Sequence, residues 1–158
     1  MKVNYLFPSK YKKIGWLILI PTFILGLYTV ITEFEPEFLD VNVFAILNEG
    51  IFSDDKLFEL INNNILNEIL GVLVIISAIL VAFSREVDED EYISKIRLES
   101  LVWATYVNYS IMLLSFLFVY GFSFLWVMIF NMFTLLIFFI IRFNWQVVKF
   151  RKSVDNEK

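Results

Sequence analysis

LVWATYVNYSIMLLSFLFVYGFSFLWVMIFNMFTLLIFFII, from Leu101 to Ile141, decides how the rest of the chain is read. It holds two apolar runs, Leu101–Tyr120 and Phe124–Ile141, separated only by Gly121, Phe122 and Ser123. As helices rising about 1.5 Å per residue, both match the ~30 Å hydrocarbon core of a bilayer. Gly121 suits the left-handed position after a helix end, and Ser123 suits an N-cap. A link this short makes an antiparallel helical hairpin. Neither run alternates polar and apolar residues with period two, which argues against a β-barrel.

Two further runs precede this pair: IGWLILIPTFILGLYTVIT, Ile14–Thr32, and ILNEILGVLVIISAILVAF, Ile65–Phe83. Pro21 lies inside the first, where a membrane helix tolerates it because neighbours re-satisfy the backbone. Lys10, Lys12 and Lys13 flank that run as they would a signal peptide. The run is longer than an h-region of about 7–15 residues and no Ala-x-Ala site follows, so it reads as a retained anchor.

Composition agrees. Of 158 residues, 59% are hydrophobic and eighteen are phenylalanine; the mean hydropathy is +0.71. Soluble domains are about 45–50% apolar, and a chain this small cannot hide such an excess. The expected fold class is therefore an all-α membrane protein with four transmembrane helices, 14–32, 65–83, 101–120 and 124–141, in one membrane domain. The net charge of −4 comes without a basic face, which argues against nucleic acid as a partner. The chain has neither cysteine nor histidine. That removes disulfides, thiol chemistry, the commonest general base and the commonest metal ligand. No catalytic constellation, cofactor or metal site is expected, and the chain does not read as an enzyme.

Lysine and arginine set the orientation. Twelve of the thirteen lie before the first run, between the second and third, or after the fourth. With four spans these segments share one face, so both termini are expected in the cytoplasm. Trp16, Trp103 and Trp145 then fall near the cytoplasmic interface and Trp126 near the outer one. The segment 33–64, with eight acidic residues and Lys56 as its one basic residue, is expected outside. Within it, Ser53 followed by Asp54 and Asp55 resembles a helix start, and DKLFELINNNILNEIL has helical apolar spacing. A helix feeding the second span is expected there, with a bend at Asn62–Asn64.

The connector SREVDEDEYISKIRLES, Ser84–Ser100, carries nine charges in seventeen residues. Asp88 and Glu91 have capping-box spacing, and Glu91 and Lys95 are a favourable i, i+4 pair. The third helix is expected to begin near Glu89, in water. A solvated helix start explains the run most simply. The sharper alternative is a docking face for a protein partner, with Glu91, Tyr92, Lys95, Arg97 and Glu99 as candidate contacts. A metal site at Asp88–Glu91 is disfavoured, because adjacent carboxylates round a helix diverge and lack the spacing and glycine of a calcium loop. The tail 142–158 extends the fourth helix. Its basic residues can rest on anionic lipid or pair with the acidic connector, and the second is favoured.

KIGWLILIP, ELINNNILNEI, DEYISKIRLESLVWATYVNY and FNMFTLLIFFIIRFNW resemble a family of small four-span membrane proteins of Bacteroidota. The resemblance covers most of the chain and is strongest in the last two spans. It implies a bacterial inner membrane. The family has no assigned activity, so the resemblance carries over no site residue.

Polar residues inside spans are functional candidates by default. Asn108 lies about 10 Å in from Leu101, Thr134 lies at the same depth on the antiparallel partner, and Asn131 is one turn deeper. Asn108 is thus expected to reach Thr134 or Asn131. An interhelical hydrogen bond is the simpler reading and a polar pathway the sharper one. Arg97, just below the membrane, is expected to snorkel to headgroups or to pair with an acid such as Glu99 or one on another segment. Glu68, the acid within a span, reads as interfacial, with a buried proton-carrying acid as the alternative. Three function classes follow. A non-enzymatic interaction or regulatory protein working through its cytoplasmic face comes first. A subunit of an oligomeric transporter or channel is second, and a lipid-acting enzyme third. The partners expected are the lipid bilayer, a protein on the cytoplasmic face, and further copies of the chain.

Overall fold

The computed structural model describes residues 5–48 and 56–156. In chain order the elements are α1 (Lys10–Thr32), a 3-10 turn at Glu37–Leu39, β1 (Asp40–Asn48), β2 (Lys56–Asn64), α2 (Leu66–Ala82), α3 (Glu91–Phe118) and α4 (Phe122–Asn156). Among the described residues α1, α3 and α4 are long and apolar enough to cross a membrane, while α2 is a shorter apolar helix. The described residues fall into two compact units, one drawn from 1–19 and 74–158 and the other from 20–73.

The first unit is built on the α3–α4 hairpin. Gly121, at φ 67°, makes the left-handed turn expected of it, and the Phe124 amide closes onto the Gly121 carbonyl at 3.1 Å. Helix α4 already begins at Phe122, so Ser123 sits inside it rather than capping it. The two helices pair in reverse order along their length. Phe116 meets Phe124 at 5.0 Å, Trp103 meets Phe138 at 6.4 Å, and Tyr92 meets Phe150 at 4.4 Å between ring centroids. Their 28 and 35 residues exceed the about 20 needed to span a bilayer. Beyond the apolar runs Leu101–Tyr120 and Phe124–Ile141 the two helices continue through Glu91–Ser100 and Arg142–Asn156.

At the base of that extension Phe139, Phe143, Ile93, Val81 and Ala82 form a closely packed core. The α1 backbone approaches α2 closely there. A Cβ on Gly15 would stand 2.8 Å from Val81 Cγ2, 3.0 Å from the Val81 nitrogen and 3.1 Å from the Ser77 carbonyl. Small residues let membrane helices pack backbone to backbone in this way. Ahead of α1, Phe7 lies beside Ser84 in a parallel bridge. Its amide donates to the Phe83 carbonyl, and its carbonyl accepts from the Arg85 amide, both at 2.9 Å.

The second unit corrects the expectation for 33–64. Residues 56–64 are not a helix but strand β2, antiparallel to β1, with Val43 opposite Ile61 and Phe44 opposite Leu60. The fold is thus mainly helical with a two-stranded sheet, not all-α. Asn62–Asn64 belong to β2, and Ser53–Asp55 lie outside the described residues. The reason is tertiary. β1 carries the β-branched residues Val41, Val43 and Ile46 together with Phe44, all suited to a pleated strand. Pairing with it satisfies backbone groups that asparagine-rich β2 would hold only weakly as a helix. Asn64 ends the strand and starts the next helix. Its Nδ2 donates to the Pro36 carbonyl at 2.8 Å and to Asp40 Oδ1 at 2.6 Å, while its Oδ1 accepts from the Leu66 amide at 3.2 Å.

Candidate functional site

The connector between α2 and α3 is a solvated, capped helix start at Asp88, Asp90 and Glu91, but Ser84, Glu86 and Arg97 are buried and Glu89 is half-buried. Helix α3 begins at Glu91, and its cap is Asp90, whose Oδ1 accepts from the Ile93 amide at 2.7 Å. The expected cap at Asp88 is therefore displaced by two residues, and Asp88–Asp90 precede the helix instead of circling it. Residues 84–86 are extended beside Phe7, so alternate side chains turn inward: Ser84 and Glu86 are buried, Arg85 is exposed.

Those inward side chains build an ionic junction. Glu86 pairs with Lys12 of α1 and, at 3.2 Å, with Arg151 of α4. The Glu86 amide donates to Glu89 Oε2 at 2.7 Å. Both carboxylate oxygens of Glu89 accept from Arg97 Nη2, at 3.0 and 2.9 Å. Arg97 Nη1 donates to the carbonyls of Ala82 and Ser84, at 3.1 and 3.3 Å. One guanidinium thus satisfies carbonyls left free at the end of α2 and neutralises a carboxylate. Phe143 lies beneath, with the Arg97 guanidinium 4.4 Å and the Lys12 ammonium 5.4 Å from its ring centroid. Cations over an aromatic face are stabilised by the ring quadrupole, more so when water is excluded.

Arg97 is 7% exposed. It neither snorkels to solvent nor pairs with Glu99. Its partner is Glu89, and it is withdrawn from the surface a partner would touch. Glu99 is instead 3.9 Å from Lys95 on the exposed side of α3. Tyr92, Lys95 and Glu99 are exposed, as is Glu91 at the start of the helix, and Leu98 joins them at 62% exposure. Sequence reasoning singled out Arg97 and missed Glu86. The available signal was the in–out alternation of Ser84, Arg85, Glu86 and Val87, which becomes legible once the segment is known to be extended. Among the described residues no group of three carboxylates is placed to hold a metal ion.

Deeper in the hairpin, Asn131 Nδ2 donates to Asn108 Oδ1 at 3.2 Å and Asn108 Nδ2 to Asn131 Oδ1 at 3.5 Å. The two amides satisfy each other. Thr134 does not join them, because its hydroxyl donates to its own helix at the Phe130 carbonyl, 2.8 Å away. Glu68 is exposed on the first turn of α2 and accepts from Asn63 Nδ2 at 2.8 Å. It is not a buried acid. Compared with known proteins, the chain matches no family model, no curated protein and no solved structure.

Proposed function

We propose that this chain is a four-span membrane protein with both termini in the cytoplasm, acting as a non-enzymatic interaction or regulatory partner through its helix extensions. The junction supports the topology. Lys12, Glu86 and Arg151 join the start of α1, the end of α2 and the far end of α4. If α1 crosses the membrane, α2 must return for Glu86 to reach Lys12, and α4 must undo the crossing made by α3. Helix α2, with 17 residues, rises about 25 Å, enough for the fourth crossing with modest local thinning. Basic residues concentrate on the junction side, which supports its placement in the cytoplasm. A bacterial inner membrane follows from the family resemblance. Because the chain has no cysteine, single cysteines at Lys95 and Ile46 test the orientation by labelling with an impermeant thiol reagent.

The observation that carries the function is the division of the α3 extension into two faces. Ile93, Ile96, Arg97 and Ser100 are buried, while Tyr92, Lys95, Leu98 and Glu99 stand exposed on the same rigid helix. A ridge that sets an aromatic and an aliphatic beside paired charges on a helix offers a partner an apolar contact with a polar rim, with the backbone already ordered before binding. Photocrosslinkers at Lys95 and Leu98 in native membranes are expected to capture one heterologous protein. Self-crosslinks alone would favour an oligomeric transporter or channel subunit instead, and absence of any protein adduct would remove the reading.

A further inference from the structure

Among the described residues of the first unit five charged side chains are buried or half-buried: Lys12, Glu86, Glu89, Arg97 and Arg142. Four belong to the junction. Arg142 has no ion pair with a described carboxylate, and its guanidinium lies 4.6 Å from the centroid of the Trp103 ring. Its Nε is buried without a hydrogen-bond partner among the described residues, and so are Arg97 Nε and Ser100 Oγ. Ser100 lies one turn before Trp103 on α3, on the helix surface between the Phe143 contact of Arg97 and the Arg142 contact of Trp103. Glu86 and Glu89 are already matched by Lys12, Arg97 and Arg151, so no carboxylate of the junction is left over for Arg142. A half-buried cation with an unpartnered buried Nε is costly in this position unless something neutralises it.

The position names the neutralising group. Arg142 directly follows Ile141, the end of the apolar run, and Trp103 is the amphipathic ring that settles at headgroup level. We propose that Arg142 and Trp103 hold the phosphate of an anionic phospholipid. With Nε shut in, the two terminal Nη groups face the phosphodiester and bind it as a fork, while the indole fixes the guanidinium plane. The site selects an anionic lipid because a phosphatidylcholine phosphate already has its own cation, whereas the positive excess here has none. The proposal rests on the membrane reading above but needs no protein partner.

The test is native mass spectrometry of the full chain titrated with phosphatidylglycerol or phosphatidylcholine. The wild type is expected to retain one phosphatidylglycerol and to prefer it to phosphatidylcholine. Arg142→Gln lowers that retention about tenfold, the scale of one lost charged hydrogen bond. Trp103→Leu, which keeps the cation, lowers it several-fold and keeps the proposal testable should the arginine variant misfold. Lys149→Gln, at an exposed cation, leaves it unchanged. Undiminished retention in both Arg142→Gln and Trp103→Leu overturns the site. An equal loss in Lys149→Gln overturns it in favour of diffuse surface attraction, and displacement by millimolar inorganic phosphate in favour of a soluble anion. Phosphatidylcholine adducts without preference would leave the chain a membrane protein and dismiss only the selective site.

Discussion

The connector 84–100 and the segment 33–64 are both acidic, both flank α2, and turn their side chains in opposite senses. In the connector a few charges go inward while the rest stay exposed: Glu86 is 8% and Arg97 7% exposed. In the hairpin the apolar groups go outward: Phe44, Ile46, Phe58 and Leu60 are each more than 60% exposed. Polarity alone does not decide which side a residue takes. The supply of partners does. The connector is met by Lys12, Arg97 and Arg151 from three helices, so its inward carboxylates, Glu86 and Glu89, are neutralised and bonded where they lie. Within their unit the hairpin strands pair with each other, and one face remains uncovered. Phe44 and Phe58 stack there at 6.0 Å.

Removing one partner from the connector should therefore have the largest effect. Arg97→Ala strips Glu89 of its counter-charge and leaves the carbonyls of Ala82 and Ser84 uncapped. Breaking a buried pair in this way costs about 3–5 kcal/mol. Arg97→Lys should recover only part, because an ammonium cannot fork between two carbonyls and a carboxylate. Reversible unfolding in detergent, followed by circular dichroism, measures both. An unchanged midpoint for Arg97→Ala would break the comparison, since the junction would then be decorative.

The next effect lies where α1 meets α2. Gly15→Leu must displace the Val81 backbone and the Ser77 carbonyl as well as a flexible methyl, so overpacking should cost about 1–3 kcal/mol. Gly26, further along α1, has no neighbour within 4 Å of the place a Cβ would take. Gly26→Ala should be neutral or stabilising, by up to about 1 kcal/mol from helix propensity. Equal effects at the two glycines would mean the close approach does not persist in solution. Smaller still is the Asn108–Asn131 pair. A double-mutant cycle to alanine should return a coupling of about 0.6 kcal/mol, the average for polar contacts between membrane helices. A coupling near zero would show that each amide finds another partner.

The apolar runs, the tight hairpin and the Asn108–Asn131 contact were legible because each follows from length and helical depth alone. Arg97 was legible as a suspect but not its partner, since Glu89 reaches it only because residues 84–90 are not helical: 84–86 are extended and a turn at Val87–Asp88 follows. That extension depends on Phe7, far upstream in the chain, which meets Ser84 in the bridge. The hairpin was misread for a related reason. Leu57, Phe58, Leu60 and Ile61 fit a helical spacing as well as a strand, and the choice is made by β1, which local periodicity does not see.

The end of α1 offers the finest probe of that comparison, because its geometry is set locally. Glu33 has φ 51°, a left-handed conformation that is strained for a residue with a Cβ. It is held by a helix-ending motif: the Phe34 amide donates to the Thr29 carbonyl at 3.3 Å, and the Phe34 ring lies 6.3 Å from that of Tyr28. This is the bond and the apolar contact of a Schellman ending, where glycine is the usual residue. Glu33→Gly should relieve the strain and stabilise the protein by up to about 1 kcal/mol, net of glycine's greater freedom when unfolded. The Phe34 amide should exchange more slowly with solvent. Glu33→Ala is the control, since it also removes the carboxylate from the negative end of the helix dipole but keeps the Cβ. A glycine gain no larger than the alanine gain would assign the effect to charge, and the hairpin's junction with α1 would then obey the same electrostatics as the connector.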